Sequence, residues 1–358
     1  MNVLFFSTYS LPYISGMTKY ADHVIKYFEK RGAHVSHLFF YPRLYNSEKR
    51  ISIPYFTQLY KGFLSFHAPK LFWEKIKEND VVLVNYPNIE VLPLIVCAVL
   101  QKKKIVTIFH CSVILPSGFL NLIIGPFLFA SLIIHLCASA TVIAQEDYIL
   151  SQWWSIFFKK KCVFVDPPIV LPKDAFPIKK IINSVGFIGR ISSEKGIEYL
   201  IEAVHMLKNM TLYFIGPTQV EGEQSYRRAI LNLLIEKKVR YHFISNPSDK
   251  ELADHVSQLE MIVVPSINQT EAYGMVQPES MCRGVAVIAT DLPGIRIPIK
   301  KTQMGLLVPP KNPEALAHAI QKIHDDLSHY VNPENVQNAR MQFEPTKSLE
   351  IIYNTLTR

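Results

Sequence analysis

The stretch VGFIGRISSEKGIEYLIEAV, Val185–Val204, reads as one strand, one loop and one helix. An apolar run ends at Gly189, a charged loop follows, and apolar residues return at helical spacing from about Ile197. In doubly wound α/β sheets, ligands gather at the carboxyl ends of the strands. Arg190 and Lys195 sit there, five residues apart on one loop, with Lys195-Gly196 just before the helix. Two cations beside a helix N-terminus suit a phosphate or diphosphate.

The same alternation extends in both directions. NVLFFS, AHVSHLFF, DVVLVNY, KKIVTIFH, SATVIAQ and KCVFVDP read as strands before it. NSVGFIG, MTLYFIG, RYHFIS, EMIVVPS, GVAVIAT and MGLLVPP follow as a second series. Helical segments such as Met17–Arg31 and Ile89–Leu100 lie between strands. Short apolar strands separated by helices imply parallel sheets covered on both faces. The expectation is α/β, two Rossmann-like doubly wound domains, over 1–166 and 182–343. Residues 167–181, with four prolines, are expected to be the linker, because proline fits neither a helix interior nor a central strand. Residues 344–358 read as a terminal helix that packs back on the first domain.

A second stretch carries chemistry. EAYGMVQPE, Glu271–Glu279, follows the strand run MIVVPS. Gly274 permits close backbone approach to a ligand, and the N–H groups of Met275 and Val276 open the next helix. A carboxylate aimed at a diphosphate would be repelled, so the acids need other targets. Glu271 can accept hydrogen bonds from sugar hydroxyls, and Glu279 can grip a diol such as ribose. Donors in the middle and acids at both ends suit a nucleotide sugar. No Asp-x-Asp pair appears, so no metal is expected; the diphosphate would be met by Arg190, Lys195 and the helix start.

Composition narrows the class. The chain has 358 residues and a net charge of +8. Residues 1–166 hold 17 basic against 10 acidic side chains, so nearly all the excess belongs to the first half. Such a half seeks anionic partners. No helix-turn-helix or RNA-binding pattern accompanies it, which argues against nucleic acid. Five dispersed cysteines without CxxC spacing read as buried thiols in a reducing, cytoplasmic compartment. The N-terminal run reads as a first strand and not a signal peptide.

Between Ile105 and Gln145 there is no charged residue at all. Three readings are open: a membrane span, a fully buried helix, and a helix with one face in a membrane interface. Spanning conflicts with the two flanking strand candidates and with Gly125-Pro126 and His135 inside the run. The interfacial reading draws on Lys102–Lys104 and Lys159–Lys161 and on the adjacent WWSIFF.

These residues resemble the GT-B glycosyltransferases of family GT4. GFIGRISSEKGIEYLIEAV is similar to that family's G-R-x-x-x-x-K-G segment, and EAYGMVQPE matches its E-x7-E signature. GVAVIATDLPG and GLLVPPKNPEALAHAI resemble the elements that follow. The likeness covers nearly the whole chain and is strongest over Val185–Pro310. It implies a retaining, metal-independent transferase whose nucleoside-diphosphate sugar binds between two Rossmann-like domains. Arg190 and Lys195 would hold the diphosphate, Glu271 the donor sugar, and Glu279 the ribose. Gly274, Met275 and Val276 would act through their backbone. Gly16 falls at the family's glycine-rich loop, and His110 at its active-site histidine. The sequence departs from the family pattern in having Ser15-Gly16 for a Gly-Gly pair, no glutamate near Ile297, and FIGPTQ after its strand. The acceptor expected is a lipid-linked or cell-surface glycan precursor, with an anionic membrane surface as a further partner. A sugar epimerase or phosphorylase of the same fold, or a non-catalytic membrane partner, are the alternatives.

Overall fold

The computed structural model describes residues 1–42, 47, 49–59, 62–88, 90–113, 121–171, 179–217 and 223–357. In chain order come β1 (Asn2–Tyr9), α1 (Gly16–Lys30), β2 (His34–Tyr41), β3 (Arg50–Ser52), β4 (Thr57–Leu59), β5 (Gly62–Leu64) and α2 (Ala68–Lys77). Next are β6 (Val81–Tyr86), α3 (Leu92–Leu100), β7 (Lys104–Phe109), α4 (Asn121–Ala138), β8 (Thr141–Ala144), α5 (Glu146–Leu150) and β9 (Cys162–Phe164). Then follow β10 (Ile181–Ile188), α6 (Ile197–Leu207), β11 (Thr211–Gly216), α7 (Gln224–Glu236), β12 (Arg240–Ser245), α8 (Asp249–Gln258) and β13 (Leu259–Val264). The remainder is α9 (Val276–Met281), β14 (Ala286–Thr290), α10 (Ile297–Thr302), β15 (Gly305–Val308), α11 (Pro313–Asp325), α12 (Leu327–Tyr330), α13 (Pro333–Gln342) and α14 (Pro345–Thr357).

The chain divides into two units, Met1–Pro168 with Pro345–Arg358, and Ile169–Glu344. The first holds a seven-stranded sheet in the order β3-β2-β1-β6-β7-β8-β9; the second holds six strands in the order β12-β11-β10-β13-β14-β15. Every pairing in both sheets is parallel. Strand order reverses direction between β1 and β6 in one sheet and between β10 and β13 in the other. These are the switch points at which doubly wound sheets open a crevice.

Each sheet is buried on both faces, which is why its strands read as continuous apolar runs. In the first unit Phe6, Leu38, Val84 and Phe72 pack on one side, and Phe5, Val24, Leu83 and Ile352 on the other. In the second, Val185, Leu200, Met261 and Ile320 face one way, and Ile262, Val287, Ile295 and Met281 the other. Helix α14 belongs to the first unit: Leu349, Ile352 and Leu356 join the buried cluster that holds Val3 and Phe5, and the Tyr353 ring meets Phe28 of α1 edge-on at 5.2 Å. Lys104 Nζ donates to the Thr355 and Leu356 carbonyls at 2.9 and 3.2 Å, closing the end of that helix.

The structure bears on three points of the sequence reading. The separate linker over 167–181 is shorter than expected at both ends, since Ile169 is buried in the second unit's core and Ile181 already belongs to β10. Residues 172–178 of it lie outside the described residues. The uncharged segment does not form a fully buried helix. Leu132, His135 and Leu136 of α4 point inward, but Leu122, Phe127 and Ile134 are exposed. Among the described residues no helix is long and apolar enough to cross a membrane. Finally, the lysines flanking that segment are not all free. Lys103 Nζ donates to Asn79 O at 2.7 Å, Lys104 caps α14, and Lys161 Nζ donates to Cys137 O and Ser139 O at 2.9 and 3.0 Å, at the C-terminal end of α4.

Candidate functional site

Of the nine residues singled out from the sequence, Gly16 and His110 lie in the first unit and the other seven in the second. In the second unit, the loops that follow β10 and β13 leave the sheet on either side of the switch point. They pack against each other: Ile267 N donates to Glu194 O at 3.1 Å. Gly196, at φ +62°, lies in the left-handed region and ends the short 3-10 turn Ser193–Lys195 before α6. A Cβ at this position would come within 2.5 Å of Ile267 Cγ2 and closer still to the Pro265 carbonyl oxygen. Only glycine lets the two loops approach this far.

That approach sets the charges. Lys195 Nζ forms an ion pair with Glu271 Oε2, and the two side chains are about one-fifth exposed. Arg190 Nη2 lies 3.7 Å from Glu194 Oε1, on the same loop. Each of the two cations expected to hold a diphosphate thus carries a carboxylate partner. The physical reason is that half-buried cations without a counterion cost several kcal/mol of desolvation. Lys195 and Glu271, expected on different parts of one donor, meet directly.

Beyond Glu271 the chain turns at Gly274, φ +69°, into α9. Gln277 holds this turn from inside. Fully buried, its Nε2 donates to Tyr273 O and Ile295 O, both at 2.9 Å, fixing the turn to the segment before α10. Met275 and Val276 open the short helix, where backbone N–H groups lack intrahelical acceptors. Glu279 lies one turn in, half-buried, with its charge favouring the Arg283 guanidinium. Among the described residues no three His, Cys, Asp or Glu side chains converge to hold a metal ion.

In the first unit, Gly16 begins α1, and Ser15 caps that helix: Ser15 Oγ accepts from Thr18 N at 3.2 Å and Thr18 Oγ1 accepts from Ser15 N at 2.9 Å. The serine found where the family has a second glycine thus has a structural task. His110 follows β7, its N–H bonded to Tyr86 O at 3.0 Å. Its Nε2 hydrogen-bonds Asn85 Oδ1, and the Tyr20 ring stands edge-on at 4.8 Å. Burial pushes the imidazole down to about 3, so it is neutral at ordinary pH. Asn85 Nδ2 donates to Met17 O at 3.4 Å, which identifies Oδ1 as the atom facing His110. Nε2 is therefore the protonated nitrogen, and Nδ1 keeps its lone pair. Asn85 thereby ties the Gly16 segment to His110.

Sequence reasoning missed Asn85 and Gln277. The signal for the first was a lone amide near the carboxyl end of the apolar run VVLVNY. Gln277 stood inside a quoted motif, but nothing marked it as buried.

Residues 173–338 match the family model described as Glycosyl transferases group 1. That span lies within the second unit and contains all seven of its singled-out residues, and it supports a group 1 glycosyltransferase. A D-inositol 3-phosphate glycosyltransferase of Corynebacterium glutamicum (strain R) is 32% identical over 150 residues, 40% of this chain and 35% of that protein. The alignment thus spans about a third of that relative's length. Among solved structures, the sucrose-phosphate synthase of Thermosynechococcus elongatus superposes with a TM-score of 0.79 at 18% identity, covering 100% of this chain and 98% of that one. HepE of Anabaena, solved in complex with UDP and glucose, gives 0.77 at 16% identity, with 99% of each chain covered. At these identities the likeness shows the fold: parallel sheets in two domains, as in GT-B glycosyltransferases.

Proposed function

We propose that this chain is a retaining, metal-independent glycosyltransferase of the GT4 type. In this reading it moves a sugar from a nucleoside-diphosphate sugar to an acceptor hydroxyl. The observation that carries the reading is the Lys195–Glu271 pair at the sheet's switch point, inside the segment that matches the group 1 model. HepE, similar in fold, was solved with UDP and glucose bound, which favours a nucleotide-sugar donor.

The ion pair suggests how the donor enters. An incoming diphosphate competes with Glu271 for Lys195. When the lysine swings to phosphate, the carboxylate is released to accept hydrogen bonds from the sugar. Lys195, Arg190 and the start of α9 then meet the charge that grows on the departing diphosphate, the interaction that strengthens most in the transition state. Glu279 takes the ribose diol. His110 is assigned to the reacting sugar by the family pattern. As a neutral imidazole with a free Nδ1 lone pair, it suits an oxocarbenium-like charge and needs no proton of its own. Neither residue is assigned as general base, since the leaving phosphate can accept the acceptor's proton. The acceptor we favour is a lipid-linked or cell-surface glycan precursor at the cytoplasmic face of a membrane.

The test is a panel of UDP, GDP and ADP sugars, screened first by thermal shift, where a ligand at one hundred times its Kd stabilises by about 2.7 kcal/mol. Turnover of the best donor is then compared with Lys195→Ala and Glu271→Ala, with EDTA present, and the anomer of the product is read by NMR. Turnover indifferent to both substitutions rejects the site. Inverted product rejects retention, and loss of turnover in EDTA rejects metal independence. Release of an epimer or a sugar phosphate favours the epimerase or phosphorylase reading.

A further inference from the structure

Helix α4 is almost wholly apolar, yet its rotation about its own axis is fixed by its few polar groups. His135 Nε2 and Thr107 Oγ1 lie 2.8 Å apart, and Thr107 Oγ1 is also 2.8 Å from Ser139 Oγ, all buried under the helix. The Tyr86 ring packs edge-on against His135. With that side pinned to β7, the opposite side faces solvent. It presents Leu122, Pro126, Phe127, Phe129, Ala130 and Ile134, without a charged or hydroxyl-bearing side chain among them.

A second exposed apolar group adjoins it. In the 3-10 turn Trp153–Phe157, Trp154 and Ser155 are buried, while Trp153, Ile156 and Phe157 are 72%, 76% and 74% exposed. Trp153 stacks on Phe129 with ring centroids 5.5 Å apart, so the two surfaces are continuous. Lys159 and Lys160 come next in the chain, both exposed, and neither forms an ion pair among the described residues. Between residues 101 and 165 the chain carries six lysines and only two acids. Soluble monomers rarely expose contiguous apolar surface of this kind without a use for it.

We propose that α4 and the Trp153–Phe157 turn form a docking surface for a bilayer carrying anionic headgroups. The apolar side chains enter the headgroup–acyl boundary, Trp153 sits at its rim, and Lys159 and Lys160 contact phosphate groups. A second copy of this chain is the poorer occupant, because a symmetric contact brings like lysine rims together. The inference is independent of sugar transfer, since nothing in it involves Lys195, Glu271 or His110.

The experiment is flotation of the whole chain with phosphatidylcholine vesicles, with and without phosphatidylglycerol. Three versions are compared: unaltered chain, Lys159→Gln with Lys160→Gln, and Trp153→Ser with Ile156→Ser and Phe157→Ser. All substituted residues are exposed, so melting temperatures are expected to be unchanged and are measured as a control. The unaltered chain binds vesicles containing phosphatidylglycerol. Each lysine removed weakens that binding about fivefold at low salt, and the triple change abolishes it. Trp153 fluorescence shifts to the blue on binding, and Trp153→Phe removes that shift. Equal binding by all three versions, or no binding by the unaltered chain, overturns the proposal. So does a dimer in sedimentation without lipid that the triple change converts to monomer, because the surface is then a contact between copies.

Discussion

Replacing Gly196 with alanine tests whether the two loops at the second sheet's switch point must touch. The new methyl would sit 2.5 Å from Ile267 Cγ2 and closer to Pro265 O, a backbone atom that cannot rotate away. Forcing such overlap costs about 1–3 kcal/mol. Holding alanine at φ +62° adds about 1 kcal/mol, offset by about 0.4–1 kcal/mol from the stiffer unfolded chain. The net loss is about 1–3.6 kcal/mol. For a unit of this size that lowers the melting temperature by roughly 2–14 °C. Gly284→Ala is the control. Its φ is +70°, but its nearest neighbours, Val336 and Val331, lie at 3.6 and 3.7 Å, an ordinary contact. It carries the conformational cost without the clash. Differential scanning calorimetry of both variants separates the two contributions. Because the displaced loop carries Lys195, Gly196→Ala also weakens nucleotide-sugar binding, and Gly284→Ala does not. If the two variants melt within 2 °C of each other and bind the donor alike, the close approach of the loops constrains nothing and the reasoning fails.

Three other outcomes are expected. Glu271→Gln frees Lys195 from its carboxylate, so UDP alone binds more tightly, while transfer from the sugar donor falls by 10-fold or more; calorimetric titration and steady-state rates read the two separately, and weaker UDP binding contradicts the exchange. Acid weakens the first unit, because burial lowers His37 and His110 to about 3 and His135 to about 4, while the unfolded chain titrates near 6.5. The unfolded state then binds more protons as pH falls below 6.5, and stability declines through that window by about 2 kcal/mol per histidine at pH 5; urea melts at pH 7.5 and 5 measure it, and His37→Gln should shallow the slope. Asn85→Asp places a carboxylate on His110 Nε2 and raises its titration point towards neutrality, visible by NMR of labelled histidine; an unmoved His110 resonance removes Asn85 from its positioning role.

Most strands were legible because fully covered parallel strands announce themselves as apolar runs, and Val185–Ile188 or Val81–Val84 could hardly be anything else. The short strands β3, β4 and β5 were not, since three residues carry no periodicity to read. Helix α4 was ambiguous in a different way. A helix apolar all round signals burial, and sequence periodicity cannot tell which of its sides a sheet covers; that was decided by His135 and Thr107, 28 positions apart. Charged residues showed the same gap. Lys104 and Lys160 look alike in sequence, yet one closes a helix contributed from the far end of the chain and the other meets solvent. The loops at the second switch point were placed correctly along the chain, but the pairing of Lys195 with Glu271 needs two segments 76 residues apart to meet.

That α14 shares a buried cluster with β1 has a temporal consequence for the newborn polypeptide. Val3 and Phe5 are made before the second unit, but Leu349, Ile352 and Leu356 of the same cluster are made after it. Residues 169–344 are made in the interval, roughly 10–35 s at ordinary elongation rates. Throughout it the second unit can complete itself, while the first waits with a greasy seam open to chaperones and to aggregation.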